Sequence, residues 1–222
     1  MRTEYFSETA DRLRGISPYC RPGQGDVLVD NGAYGQILHA AVLDDADGLL
    51  YDLPVQWDKG GGGVAIPVKE TGEICFIQIF RPVAAEPHLV GTEKPPPNLS
   101  QLGVVSLELP RGFAEDGEGW ATTALREANE ELRLRVSDET EIGWVNPNTS
   151  TTVHSAGVVV LRAGPAANRT VAADAQGAEA ERILSVHAMS EAEVWRAIRD
   201  GRIFCGFTLA ALMLYFATRT TP

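Results

Sequence analysis

Residues 110 to 134 read PRGFAEDGEGWATTALREANEELRL and crowd together six acidic side chains, Glu115, Asp116, Glu118, Glu127, Glu130 and Glu131, with Arg126 among them. Over residues 119 to 132 the apolar positions Ala121, Ala124, Leu125, Ala128 and Leu132 fall at i, i+3, i+4, i+7 and i+11. On a helix of 3.6 residues per turn that is a single stripe, committed to a core. Glu127 and Glu131, four apart, must then project together from the flank of the stripe, with Glu130 one step further round. Such a face can simply be solvated, because exposed charge is common. A solvated helix would gain from Lys four residues after Glu127, however, and the surrounding positions are Asn129 and two more glutamates. A hard divalent cation resolves the repulsion better, since Mg²⁺ takes carboxylate oxygens and keeps positions open for water and phosphate.

The flanking sequence supplies strands. DVLVD (26–30) and GQILHAAVLD (35–44) are short apolar stretches bounded by turn formers, and they make residues 1–60 an N-terminal β-rich segment. After the glycines 60–63 come VAIPV (64–68), the turn KETGE and ICFIQIFRPV (74–83), which read as a strand, a hairpin and a second buried strand. The Pro- and Gly-rich residues 84–103 show no periodicity and read as a long surface excursion. VVSLELP (104–110) is expected as one strand, and EIGWV (141–145), TTVHSAGVVVLRA (151–163) and RILSVHAM (182–189) as three more, the last behind a Gly/Ala-rich loop at 164–180. Ser190 with Glu193 is a capping-box pattern, Val194 and Ile198 an apolar pair, and Gly201 a C-cap; a final helix is expected near Thr208. This order predicts an α+β chain, a mixed sheet flanked by helices.

Composition narrows the function. A hydrophobic content of 44% over 222 residues supports a real core. The net charge of −11 argues against a nucleic-acid partner, whose phosphates need Lys and Arg. The start, MRTEYFSETADRL, lacks the apolar run of a secretory leader, and LAALMLYFA (209–217) is far short of the roughly 20 residues that cross a bilayer, so no membrane partner is expected. Cys20, Cys75 and Cys205 share no metal-ligand spacing and leave an odd count, which favours a reducing cytoplasm.

Gly112, Glu118 and REANEEL with Leu134 resemble the Nudix box, the loop-helix-loop signature of hydrolases acting on nucleoside diphosphates linked to another moiety. Residue type and spacing match at Gly112, Glu118, Arg126, Glu127, Ala128, Glu130, Glu131 and Leu134. Arg133 departs from the pattern, standing where the family usually has a Gly that caps the helix in the left-handed conformation. GGVAIPV, FIQIFRPV, LELPRG and Pro147, a dozen residues past the box, are similar to the ADP-ribose pyrophosphatase branch. The resemblance implies the Nudix fold, an α/β/α sandwich over residues 61–222, with 1–60 as a dimerisation arm of a homodimer.

It also implies a site. Glu127 and Glu131 would be the main ligands of Mg²⁺, or alternatively Mn²⁺, with Glu130 auxiliary and the backbone carbonyl of Arg111 a further ligand. Glu118 and Arg126 would form an ion pair that orients the loop against the helix. A Glu on the late acidic loop would be the base, Glu181 in preference to Glu179 because an apolar strand begins just after it. Arg81 would contact phosphate or ribose, or else form a surface salt bridge. Glu108, on the strand before the box, reads as able to touch substrate or simply to pair across the sheet, whereas His154 and His187 read as core or edge residues. The implied reaction is hydrolysis of a small nucleotide, ADP-ribose or another nucleotide sugar, to a nucleoside monophosphate and a sugar phosphate. Dinucleoside polyphosphates, NADH and coenzyme A are alternative substrates, and a non-catalytic nucleotide sensor is the alternative class; sensors usually lose box carboxylates that this chain keeps.

Overall fold

The computed structural model describes residues 1–5, 27–30, 35–46, 48–57, 61–81, 103–149, 152, 154–164, 169–170 and 183–219. They divide into two compact units, Met1–Gly61 with Asn146–Ser155, and Gly62–Val145 with Ala156–Pro222.

The first unit is an antiparallel sheet of β1 (Arg2–Tyr5), β2 (Val27–Asp30), β3 (Gln36–Leu43) and β4 (Leu49–Trp57). β3 is central: β4 runs along one side of it, and β1 and β2 share the other. The Asp44 carboxylate closes the β3–β4 turn by accepting the Ala46 and Gly48 amides, both at 2.8 Å. Strand β4 is not evident from sequence because Pro54 interrupts it; as an edge strand among the described residues, it can spare that N–H.

The second unit is an eight-stranded mixed sheet between helices. β5 (Gly62–Lys69) and β6 (Ile74–Arg81) leave their hairpin paired only at Val68 and Ile74, then splay apart. β7 (Val104–Glu108) lies antiparallel on β6, and after Leu109 and Pro110 the chain crosses to β5 as β8 (Arg111–Phe113). The strand expected over 104–110 is thus β7, ending at Glu108, and a second short strand on a different partner follows it. Pro110 marks the handover, its carbonyl accepting the Ala65 amide at 2.9 Å. β5 also pairs in parallel with β10 (Ala156–Ala163), which carries β9 (Val136–Val145) on its far side. β12 (Ile183–Met189) extends the sheet beyond β6, with the two-residue β11 (Arg169–Thr170) outermost.

Both faces of the sheet are covered, which is why β5 and β6 read as near-continuous apolar runs. Ala65, Ile77 and Val159 pack against the Ala124, Ala128 and Leu132 stripe of α1 (Trp120–Leu132). Val64, Ile66, Phe76 and Val158 point the other way, toward α2 (Glu191–Arg199) and α3 (Gly206–Arg219). The capping box of α2 forms: the Glu193 carboxylate accepts both the Ser190 amide and hydroxyl, at 2.8 and 2.7 Å. α1 sits close to its strands because they carry glycine beneath it. A Cβ on Gly63 would lie 2.6 Å from the Ala124 nitrogen, and one on Gly157 would overlap the Trp120 side chain.

Arg133 ends α1 in the left-handed region, φ 52° and ψ 40°, its amide bonded to the Asn129 carbonyl. A non-glycine residue is strained there. Arg133→Gly is therefore expected to keep or raise stability, by up to ~1 kcal/mol in urea unfolding. A clear loss would show that the arginine side chain contributes more than the strain costs.

Candidate active site

β8 and α1 bring the box together from opposite sides. At the centre is Gly112: a Cβ there would occupy the space of the Glu127 carboxylate, so only glycine lets that acid lie against the strand. One residue earlier, the Arg111 amide donates to Glu131 Oε2 at 3.1 Å. Glu127 and Glu131 are 9% and 5% exposed, so the two acids on the flank of the stripe are turned into the protein along β8.

Arg126 fastens the loop to the helix. Its Nε and Nη2 grip Glu118 in a two-point bond of 3.0 and 3.1 Å, Nη2 also donates to the Phe113 carbonyl at 2.9 Å, and Nη1 reaches Glu127 at 2.8 Å and Glu130 at 3.3 Å. Glu118 also accepts the Glu115 amide and the Thr123 hydroxyl. These bonds to the ionised form, the Arg126 one foremost, pull the Glu118 carboxyl from 4.5 down to about 2. A depressed carboxyl contributes stability that is present above its unfolded pKa and fades as pH falls toward the folded one. In metal-free buffer, Glu118→Gln is thus expected to flatten the stability loss between pH 4.5 and about 2 relative to the parent. Identical acid limbs would remove Glu118 from this role.

A second cluster adjoins the first. Glu108, 1% exposed, receives Arg81 in a two-point bond of 3.0 and 2.7 Å and Arg111 Nη2 at 3.3 Å. Burial pushes its carboxyl up, but the Arg81 bond and the Arg111 and Arg81 charges outweigh it and the net shift is downward. The Arg111 guanidinium lies over the Phe207 ring, 5.0 Å from its centroid.

The structure therefore brings together Arg81, Glu108, Arg111, Glu118, Arg126, Glu127 and Glu131, with Glu130 on the outer side, its side chain 61% exposed. Glu179 and Glu181 lie outside the described residues, as do Cys20 and all of 84–103 except Gly103. His154 is buried, and His187 meets the Ser185 hydroxyl at 2.7 Å within β12. Sequence reasoning missed Thr123, whose hydroxyl holds Glu118, and the Arg111 side chain; the cation flanking Gly112 is the signal that could have found the latter. Among the described residues no group of three or more His, Cys, Asp or Glu is drawn together as a metal centre. No described helix is long and apolar enough to cross a membrane.

The family model of the NUDIX domain matches residues 67–203, which include β8, the loop and α1. The chain belongs to the Nudix family of hydrolases. Its fold is similar to that in the crystal structure of an ADP compounds hydrolase, with a TM-score of 0.59 and 15% identity over 85% of this chain and 88% of that one. No curated protein matches it.

Proposed function

We propose that the chain hydrolyses the pyrophosphate bond of a nucleoside diphosphate linked to another moiety, with ADP-ribose or another nucleotide sugar as the substrate class. The observation that carries this reading is the seating of the Glu127 and Glu131 carboxylates against β8 at Gly112. That cradle suits Mg²⁺, or Mn²⁺ in its place, because Mg²⁺ is usually held by one or two carboxylates plus waters and substrate phosphates rather than by an all-protein cage. A donor set of Glu127, Glu131, the Arg111 carbonyl and the auxiliary Glu130 fits such a site without three convergent side chains. When bound, the ion neutralises phosphate oxygens and makes water a better nucleophile.

The chain's own residues do the rest. Glu118 and Arg126 hold the loop and helix in register, and with them the helix that carries both buried acids. Arg81 supplies charge to the phosphates. Glu181, or else Glu179, takes the proton of the attacking water; the new P–O bond forms as the bond to the bridging oxygen breaks, and that oxygen leaves on the other phosphate. The base belongs on the late loop because a carboxylate bound to metal is a poor acceptor near neutral pH. Glu181→Gln is expected to lower kcat by about tenfold with metal dependence intact, and Glu179→Gln to do less. No loss in either variant or in the pair would move the base into the box, to Glu130.

A substrate panel tests the whole reading. ADP-ribose, ADP-glucose, NADH, a dinucleoside polyphosphate and coenzyme A are each incubated with Mg²⁺, with Mn²⁺ and with EDTA, and the products separated. Nucleoside monophosphate and sugar phosphate, formed with metal and abolished by EDTA, are expected; no nucleotide product from any substrate would leave a nucleotide-sensing role. The net charge of −11 speaks for a small-molecule partner and against nucleic acid. A cytoplasmic homodimer joined through residues 1–60 completes the proposal, and sedimentation of the full chain against one lacking that segment tests the joining.

A further inference from the structure

We infer that the Arg111 side chain is a substrate-binding group that takes a phosphate of the pyrophosphate; this rests on the hydrolase reading above. A pyrophosphate brings more negative charge to a site than one metal position offsets, and this chain is itself strongly acidic. Arg126 is committed to Glu118, Glu127, Glu130 and the Phe113 carbonyl. Among the described residues, the cations left beside the buried acids are Arg81 and Arg111.

Their arrangement is that of a presented charge rather than a closed salt bridge. Two guanidiniums share the single carboxylate of Glu108, so the cluster keeps one net positive charge. Glu108 is sealed from solvent, and its two oxygens are taken up by the arginines, so it acts as a positioning residue and not as a contact to substrate. Each arginine side chain is about a quarter exposed, 25% for Arg81 and 26% for Arg111, which leaves a face to meet a ligand. Arg111 makes the weaker of the two bonds to Glu108, one contact at 3.3 Å against a two-point grip; its Nε is buried with no acceptor among the described residues, so the exposed part of the group, not Nε, is what can meet a ligand. Its flat group is steadied instead by the Phe207 ring. Donors held in place but not used up are what a phosphate oxygen needs. The backbone of the same residue touches Glu131, which fixes the guanidinium beside the carboxylates rather than elsewhere on the sheet.

The test uses the full chain with Mg²⁺. Arg111→Ala leaves the main-chain amide and carbonyl in place, and is expected to raise KM for the best panel substrate by ~10-fold while kcat changes by less than about threefold. Arg111→Lys is expected to recover most of that loss, since charge is restored without the two-point geometry. Binding of α,β-methylene-ADP, which needs no turnover, is expected to weaken in parallel. If the alanine variant does not fold, Arg111→Gln carries the same comparison. Unchanged KM and unchanged analogue binding in a folded variant, no difference between the lysine and alanine variants, or a parent that does not bind the analogue would each overturn the assignment. A parent that binds the analogue through Arg111 yet cleaves no panel substrate would support the subsite while sinking the hydrolase reading.

Discussion

Glu131→Gln is expected to lower kcat by ~100-fold or more while the protein stays folded. The carboxylate is 5% exposed and accepts the Arg111 amide, a bond that the glutamine carbonyl can still accept. Shape and that contact survive; the charge does not. Removing one of several crowded like charges also relieves repulsion in the metal-free state, so thermal stability should be near that of the parent without added metal. The two states then separate in a melt: Mg²⁺ should raise the Tm of the parent and raise that of the variant much less. Turnover equal to the parent, at any metal concentration, would sink the assignment of Glu131.

Gly112→Ala is expected to be nearly as damaging, on the order of 100-fold in kcat, though no charged residue is replaced. The added methyl would overlap Oε1 and the carboxyl carbon of Glu127 and lie 2.8 Å from Oε2. Either β8 and α1 move apart or the Glu127 side chain leaves its bond to Arg126, and both displace an acid that the site needs. The change should also weaken the apparent affinity for Mg²⁺. Full activity with parental metal affinity would show that Glu127 has room the structure does not show.

The helix was legible because its stripe is local. Ala124, Ala128 and Leu132 are all fully buried, and the flank acids follow from their spacing alone. The left-handed end at Arg133 was legible by comparison with a pattern that usually has glycine there. What escaped is set by partners distant in sequence. The run 104–110 reads as one strand, and nothing local to it says that the chain leaves β6 for β5 at Pro110. Strand β9 runs from Val136, but its first half, VSDETE, is polar because it lies at the sheet edge and is largely exposed, and so it reads as a loop. Glu108 read as an acid that could touch substrate or pair across the sheet; its partner Arg81 lies 27 residues away on the neighbouring strand, so the pairing could not be read locally. Arg126 was read as the partner of Glu118, whereas it binds four groups drawn from loop, strand and helix.

Strand β5 divides its side chains between two clients. Val64 and Ile66 serve the face under α2 and α3, while Gly63 and Ala65 make room for the helix that carries the acids. Because a strand alternates sides residue by residue, inserting or deleting one position here would exchange the two sets at once, placing Val or Ile beneath α1 and glycine in the opposite core. Descendants of this chain can therefore drift by substitution along β5 but not by change of length, and lineages that diverge should keep the spacing between Gly63 and Val68 even where the residues themselves are replaced.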